Sequence, residues 1–204
     1  MKNSLAIKIH RIINSFYSSN TYILFNEASY AYIIDCGDSE LIIKWLRDNN
    51  KILSGVLLTH THFDHIYGLN DLLKKHRDFT IYTNLFGKKA LFNSRKNLSL
   101  YHESEFIYQG NKISLLDDID IITLWDFLKI KICKTPGHDK SCLTYSIGDY
   151  LFTGDSYIPA HKVVTILPKS DKLESKTSEK IIRSMIFPDT IVCPGHGEMC
   201  IGLN

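Results

Sequence analysis

The stretch Leu57–Gly68, LLTHTHFDHIYG, sets His60, His62, Asp64 and His65 within six residues at the end of an apolar run. The run itself, ILSGVLL, reads as a buried strand. Residues i and i+2 of an extended segment point the same way, so His60 and His62 can grip one ion as the strand runs out. The turn that follows can carry Asp64 and His65 to a second ion nearby. Three other segments share this form, a short β-like run ending in a small-residue turn with a ligand-type side chain: KTPGHD with His138, LFTGDS with Asp155 and VCPGHG with His196. Glycine or proline at each lets the backbone bend sharply and pass close to a site. The seven residues supply five imidazoles and two carboxylates, enough for two divalent metal ions with positions left open for water. Such a set suits Zn²⁺, and also Fe or Mn, and lacks the thiolates of a closed structural zinc site.

Outward from this stretch, periodicity predicts strands at about 5 to 10, 21 to 26 and 30 to 35, the last two forming a hairpin. Leu41, Ile42, Trp45 and Leu46 fall at helical spacing in 39 to 48, with Asp38 as the expected N-cap. Short helices are expected at Gly68 to His76 and in LFGKKALFN, with a strand at FTIY between them; 95 to 118 carries no clear pattern. Four short strands follow, IDIITLW, FLKIKICKT, CLTYSI and YLFTGD. A polar, Lys-rich loop is expected over 156 to 176, then a helix at about 177 to 187 and a last strand, TIVCP. Strand runs followed by helices occur twice, which is consistent with helices flanking two packed sheets.

The 204 residues suit one globular domain, and Lys plus Arg (24) barely exceeds Asp plus Glu (22) with no run of like charge. That balance points to no nucleic-acid or anionic-membrane surface, so neither is expected as a partner, and it is otherwise uninformative about partners. No apolar run approaches the roughly 20 residues needed to span a bilayer, and Lys8, His10 and Arg11 interrupt the N-terminal apolar stretch. The five cysteines, Cys36, Cys133, Cys142, Cys193 and Cys200, are widely spaced and read as small, mostly buried residues. A cytoplasmic protein is expected.

The blocks SSNTYILF…YAYIIDCGD, GVLLTHTHFDHIYGL, KTPGHDKSCLTYSIGDYLFTGD and IVCPGHG resemble, in order and spacing, the metallo-β-lactamase superfamily. The resemblance implies an α+β fold, a four-layer αββα sandwich, over 1–204 as a single domain, with metals along one edge at the strand ends. It implies that His60, His62 and His138 hold a first metal, that Asp64, His65 and His196 hold a second, and that Asp155 bridges both. Asp35, in DCG, would support the metal-binding loop from behind the ligands; a strand-end turn former gives the same pattern. The aspartate at 155 is unlike the cysteine-bearing second site of true β-lactamases, and His62 is unlike the glutamate of flavodiiron proteins. What remains is similar to hydroxyacylglutathione hydrolase (glyoxalase II), without the C-terminal helical domain that binds glutathione. The DKS after His138 departs from the Thr or Ser usual beside that histidine.

On this resemblance the expected reaction is hydrolysis of a small-molecule thioester or other ester by hydroxide generated between two metals, with Asp64 orienting the water or accepting its proton. The alternatives are a mononuclear iron persulfide dioxygenase, a phosphodiesterase or nuclease, and a lactonase. Lys140, Tyr157, His161 and Lys162 are candidates to line the substrate pocket, although a solvent-exposed loop is the commoner reading for all four, because loops are mostly surface. His10, His76 and His102 have no ligand-like context.

Overall fold

The computed structural model describes residues 7–117 and 121–202, so the N-terminal part of the strand expected at 5 to 10 and the start of IDIITLW lie outside the described residues. The first sheet runs in the order β1 (Lys8–Ile13), β2 (Asn20–Phe25), β3 (Tyr30–Ile34), β4 (Ile52–Leu57), β5 (Thr80–Thr83) and β6 (Ile113–Leu115). The second contains β7 (Ile121–Leu124), β8 (Leu128–Lys134), β9 (Leu143–Ile147), β10 (Tyr150–Gly154), β11 (Ile191–Pro194) and β12 (Cys200–Ile201), with β12 and β7 at its edges. Helices α1 (Ser39–Asp48), α2 (Leu69–Lys75) and α3 (Leu85–Leu91) belong to the first half of the chain, and α4 (Lys172–Ser184) to the second.

The period-two alternation of the strands separates three apolar layers. Ile23, Ile33 and Val56 face Ile42 and Leu46 of α1 and Leu69 and Leu72 of α2. Their neighbours Tyr22, Leu24, Ile34 and Leu57 turn the other way and pack on Ile130, Ile132, Leu143, Tyr145 and Phe152 of the second sheet. On that sheet's far side Leu151 and Val192 meet Ile182 of α4. The result is an αββα sandwich.

Parallel pairing brings the functional ends of the strands together. β3 and β4 run in parallel with Ile34 opposite Leu57, so Asp35 and the HTHFDH turn leave the sheet side by side. β10 and β11 are also parallel, with Gly154 opposite Pro194, and this places Asp155 next to the turn that carries His196. The Leu143 amide donates to the Thr59 carbonyl at 2.7 Å and joins the edges of the two sheets.

Several boundaries differ from the sequence reading for identifiable reasons. Antiparallel pairing with β2, from Lys8 opposite Phe25 to Ile13 opposite Asn20, carries β1 three residues further than its apolar pattern. Helix α4 begins at Lys172 rather than 177, because the Asp171 side chain accepts from the amides of Leu173 (2.7 Å) and Glu174 (2.9 Å). Asp38 does occupy the N-cap position of α1, but its carboxylate accepts from Ser15 and Tyr67 and makes no capping bond. Leu41, expected on the buried face, is 46% exposed. Strands β6 and β12, of three and two residues, are too short to announce themselves by periodicity.

Candidate metal centre

All seven residues singled out at strand ends converge. The ligand-type atoms of His60, His62 and His138 lie within 4.8 Å of one another, and so do those of Asp64, His65 and His196. Asp155 spans the two triads: its Oδ2 is 3.5 Å from Nε2 of both His138 and His196, and its Oδ1 is 3.5 Å from Nε2 of His65. Asp64 Oδ2 lies 3.3 Å from His65 Nε2 and 3.2 Å from His196 Nε2. The crowding needs small neighbours. A Cβ on Gly195 would overlap the Asp155 carboxylate, and one on Gly154, whose φ is +51°, would overlap the Thr59 side chain.

Hydrogen bonds on the outer side of the rings decide which nitrogen faces inward. His138 Nδ1 donates to the Val164 carbonyl (2.9 Å), His196 Nδ1 to the Tyr17 carbonyl (3.0 Å) and His65 Nδ1 to Asp35 Oδ2 (2.9 Å). The Thr59 hydroxyl donates to Asp35 Oδ2 (2.6 Å), which leaves its oxygen to accept from His60 Nδ1 at 3.2 Å. Four Nε2 atoms therefore point into the centre. His62 is reversed, with Nδ1 2.9 Å from His138 Nε2 and Nε2 3.8 Å from Asp139 Oδ2. Either neutral tautomer of His62 turns one lone pair toward another acceptor; a cation between His62 and His138, with the Nε2 proton directed at Asp139, relieves both.

Among the described residues, only five buried side-chain polar atoms lack a hydrogen-bond partner, and His60 Nε2, His62 Nε2 and Asp155 Oδ1 are three of them. Buried polar groups rarely go unpartnered, and His60 Nε2 and Asp155 Oδ1 both face the centre, so this pair marks a place built for a cation; His62 Nε2 faces Asp139 instead. The donor set fits divalent metal.

Electrostatics divide the centre. Burial and neighbouring rings push His60 well below its ordinary pKa and His62 down to about 4. Burial also opposes charge on His65 and His196, but the surrounding carboxylates outweigh it, holding His65 well above its ordinary value and His196 up at about 9. The Asp64 and Asp155 carboxyls are held low by these rings against the effect of burial.

A family model described as the metallo-beta-lactamase superfamily matches residues 15–196. The chain belongs to that superfamily. A hydroxyacylglutathione hydrolase of Buchnera aphidicola subsp. Baizongia pistaciae is 31% identical over 140 residues, covering 69% of this chain and 48% of the relative. The chain spans about half the length of the curated relatives it matches. The crystal structure of BLEG-1 B3 metallo-beta-lactamase superimposes with a TM-score of 0.87 at 25% identity, covering 95% of this chain and 94% of that one. TTHA1623 in a di-iron-bound form shares the fold, with a TM-score of 0.78 and 20% identity over 94% of each chain.

Within this superfamily member, Asp35 sits directly behind the ligands. Its φ of +57° turns the side chain so that Oδ1 accepts from the Thr59 amide at 2.7 Å while Oδ2 takes His65 and the Thr59 hydroxyl. The four residues expected to line a substrate pocket lie elsewhere. Tyr157 is buried with Leu151, Ile182 and Val192, under the Arg183 guanidinium. Lys140 extends over the Phe86 ring at 5.4 Å. His161 and Lys162 border a separate depression against α4, because the loop turns Val164 and Leu167 toward the metal centre and its earlier residues away. Two residues passed over in the sequence matter instead. His102 lies on the wall of the cleft above the centre, in a segment with no pattern to signal it. Asp139, the carboxylate in DKS, is buried behind His62 and is held by the Ser141 amide (2.7 Å) and hydroxyl; its place beside His138 was the available clue.

Proposed function

We propose that the chain is a metal-dependent hydrolase that holds two divalent ions and cleaves a thioester or other ester of a small molecule. The observation that carries this reading is the pair of triads spanned by Asp155, with ring nitrogens turned inward by their outer hydrogen bonds. His60, His62 and His138 would hold one ion, Asp64, His65 and His196 the other, and Asp155 both. Zinc is the first expectation, with iron or manganese as alternatives; the di-iron form of a protein with the same fold supports iron as a candidate. Such ions supply Lewis acidity and lower the pKa of a coordinated water toward neutrality.

The chain's own groups do the rest. The Asp64 carboxylate, 13% exposed at the floor of the cleft, orients the attacking water or takes its proton. Asp35 keeps the His65 ring in place from behind, and Asp139 places a carboxylate 3.8 Å from His62 Nε2. A thioester suits the site because a thiolate departs without a strong general acid. The hydroxyacylglutathione hydrolase relatives support the same bond class. We read 1–204 as one domain of this type. Its five cysteines, odd in number and widely spaced in sequence, support a reducing compartment, the cytoplasm, and among the described residues no helix is long and apolar enough to cross a membrane.

The test is metal quantification on protein from unsupplemented medium, combined with assays on thioesters, lactones, phosphodiesters and β-lactams. About two ions per chain with thioester or ester turnover is the expected outcome. About one iron per chain with oxygen uptake would replace the reading with a persulfide dioxygenase, and hydrolysis that survives complete metal removal would end it.

A further inference from the structure

Above the two triads opens a cleft of roughly 640 Å³, a volume typical of small-molecule sites. Its floor is ionic, formed by the centre itself, but its walls are apolar. Leu98, Tyr101 and His102 form one side, Val164, Leu167 and Pro168 another, and Phe63 lies between the ligands His62 and Asp64 in sequence. Among the described residues that line the cleft, none is Lys or Arg.

One wall is a preassembled aromatic stack. His102 lies parallel to Phe63 with centroids 4.9 Å apart and meets Phe16 edge-on at 5.0 Å. Phe16 meets Phe63 edge-on at 5.2 Å. Phe63 and His102 both line the cleft, and rings fixed by one another in this way offer apolar surface to a binding group at low entropic cost. A group bound against Phe63 is also adjacent to the reacting centre, since the next residue is Asp64.

We infer that the substrate is an uncharged thioester whose acyl group is aromatic or branched aliphatic, seated against Phe63 and His102, rather than a conjugate that carries carboxylates into the cleft. This rests on the hydrolase reading above. In the reaction the acyl carbon gains the water oxygen and the C–S bond breaks; the thiol retains one water proton, and the other is released as the carboxylate forms.

The experiment compares acetyl, butanoyl and phenylacetyl thioesters of N-acetylcysteamine with the phenylacetyl thioester of glutathione, using the metal-loaded protein. From acetyl to phenylacetyl, kcat/KM is expected to rise about tenfold or more, the scale on which apolar pockets discriminate added carbon. The neutral carrier is expected to outperform glutathione. Val164→Lys, which puts a cation on the exposed part of the wall, should reduce this preference and raise turnover of the glutathione thioester. In parallel, calorimetry with the matching non-hydrolysable thioethers reads the cleft without turnover and should give the same order. Equal kcat/KM across the acyl series, or a glutathione thioester preferred by the unmodified chain, would overturn the inference and leave the hydrolase reading standing. Absence of thioester turnover with the thioether order intact would overturn the thioester assignment here and in the hydrolase reading while the apolar preference of the cleft stood.

Discussion

His60, His62 and His138 are three imidazoles no more than 5% exposed, whereas Asp64, His65 and His196 include two partly exposed side chains and one carboxylate. In the first triad, burial lowers the pKa of His60 and His62. The second is surrounded by carboxylates that hold protons on its rings. A metal entering the first meets free lone pairs; a metal entering the second must displace protons. A buried set of imidazoles therefore stands beside a proton-linked one, and the carboxylates around His65 and His196 make the difference.

The largest effect should follow from removing the one side chain common to both. Asp155→Ala takes away the carboxylate that spans the triads, so metal content should fall at both and hydrolysis should drop by more than the roughly 100-fold that loss of an outer partner costs. His196→Ala should instead cut metal content to about one ion per chain, with the first triad still loaded. Metal analysis of the two variants after equal dialysis tests this; equal losses from both would mean that the triads do not behave as separate sites.

A milder perturbation is pH. With His196 raised to about 9 and His65 raised as well, metal uptake at the second triad should release protons, and its affinity should decline as pH falls below about 9. At the first triad, with His60 lowered and His62 near 4, those two rings should release few protons on metal uptake at neutral and weakly acidic pH. Calorimetric titrations in buffers of different ionisation enthalpy measure the protons released in each step. Identical proton release for the two ions would contradict the division.

The convergence of the seven side chains was legible in sequence because they obey a local rule, a ligand-type residue beside a small one at a strand end, that survives without tertiary information. The strand pattern was legible for the same reason: alternation in β2, β4 and β10 records two buried faces. The cleft was not. His102 comes from an irregular segment whose position depends on rings at 16, 17 and 63, and Tyr157 closely follows Asp155 in sequence yet is drawn under α4 by apolar packing. Proximity along the chain predicts a lining residue poorly when a loop alternates its faces. The start of α4 was missed because Asp171 sits in a Lys-rich stretch whose polarity reads as loop, although its side chain is a standard cap.

The smallest expected effects lie behind the ligands, where the two triads differ again. Asp35 makes a 2.9 Å hydrogen bond to His65 and takes two more from Thr59, while Asp139 Oδ2 stands 3.8 Å from His62, beyond hydrogen-bond reach. Asp35→Asn should therefore weaken metal binding at the second triad by roughly 10–100-fold, the usual cost of losing a carboxylate that orients a ligating imidazole. Asp139→Asn keeps the size and a hydrogen-bonding oxygen for Ser141 but removes the charge facing His62, so its effect should fall below that range and be confined to the first triad. Competition with a chromophoric chelator, read separately for the first and second ion, distinguishes the two. If Asp139→Asn proved the more damaging, the carboxylate in DKS would have to close on His62 when metal binds, and the first triad would be less rigid than its burial implies.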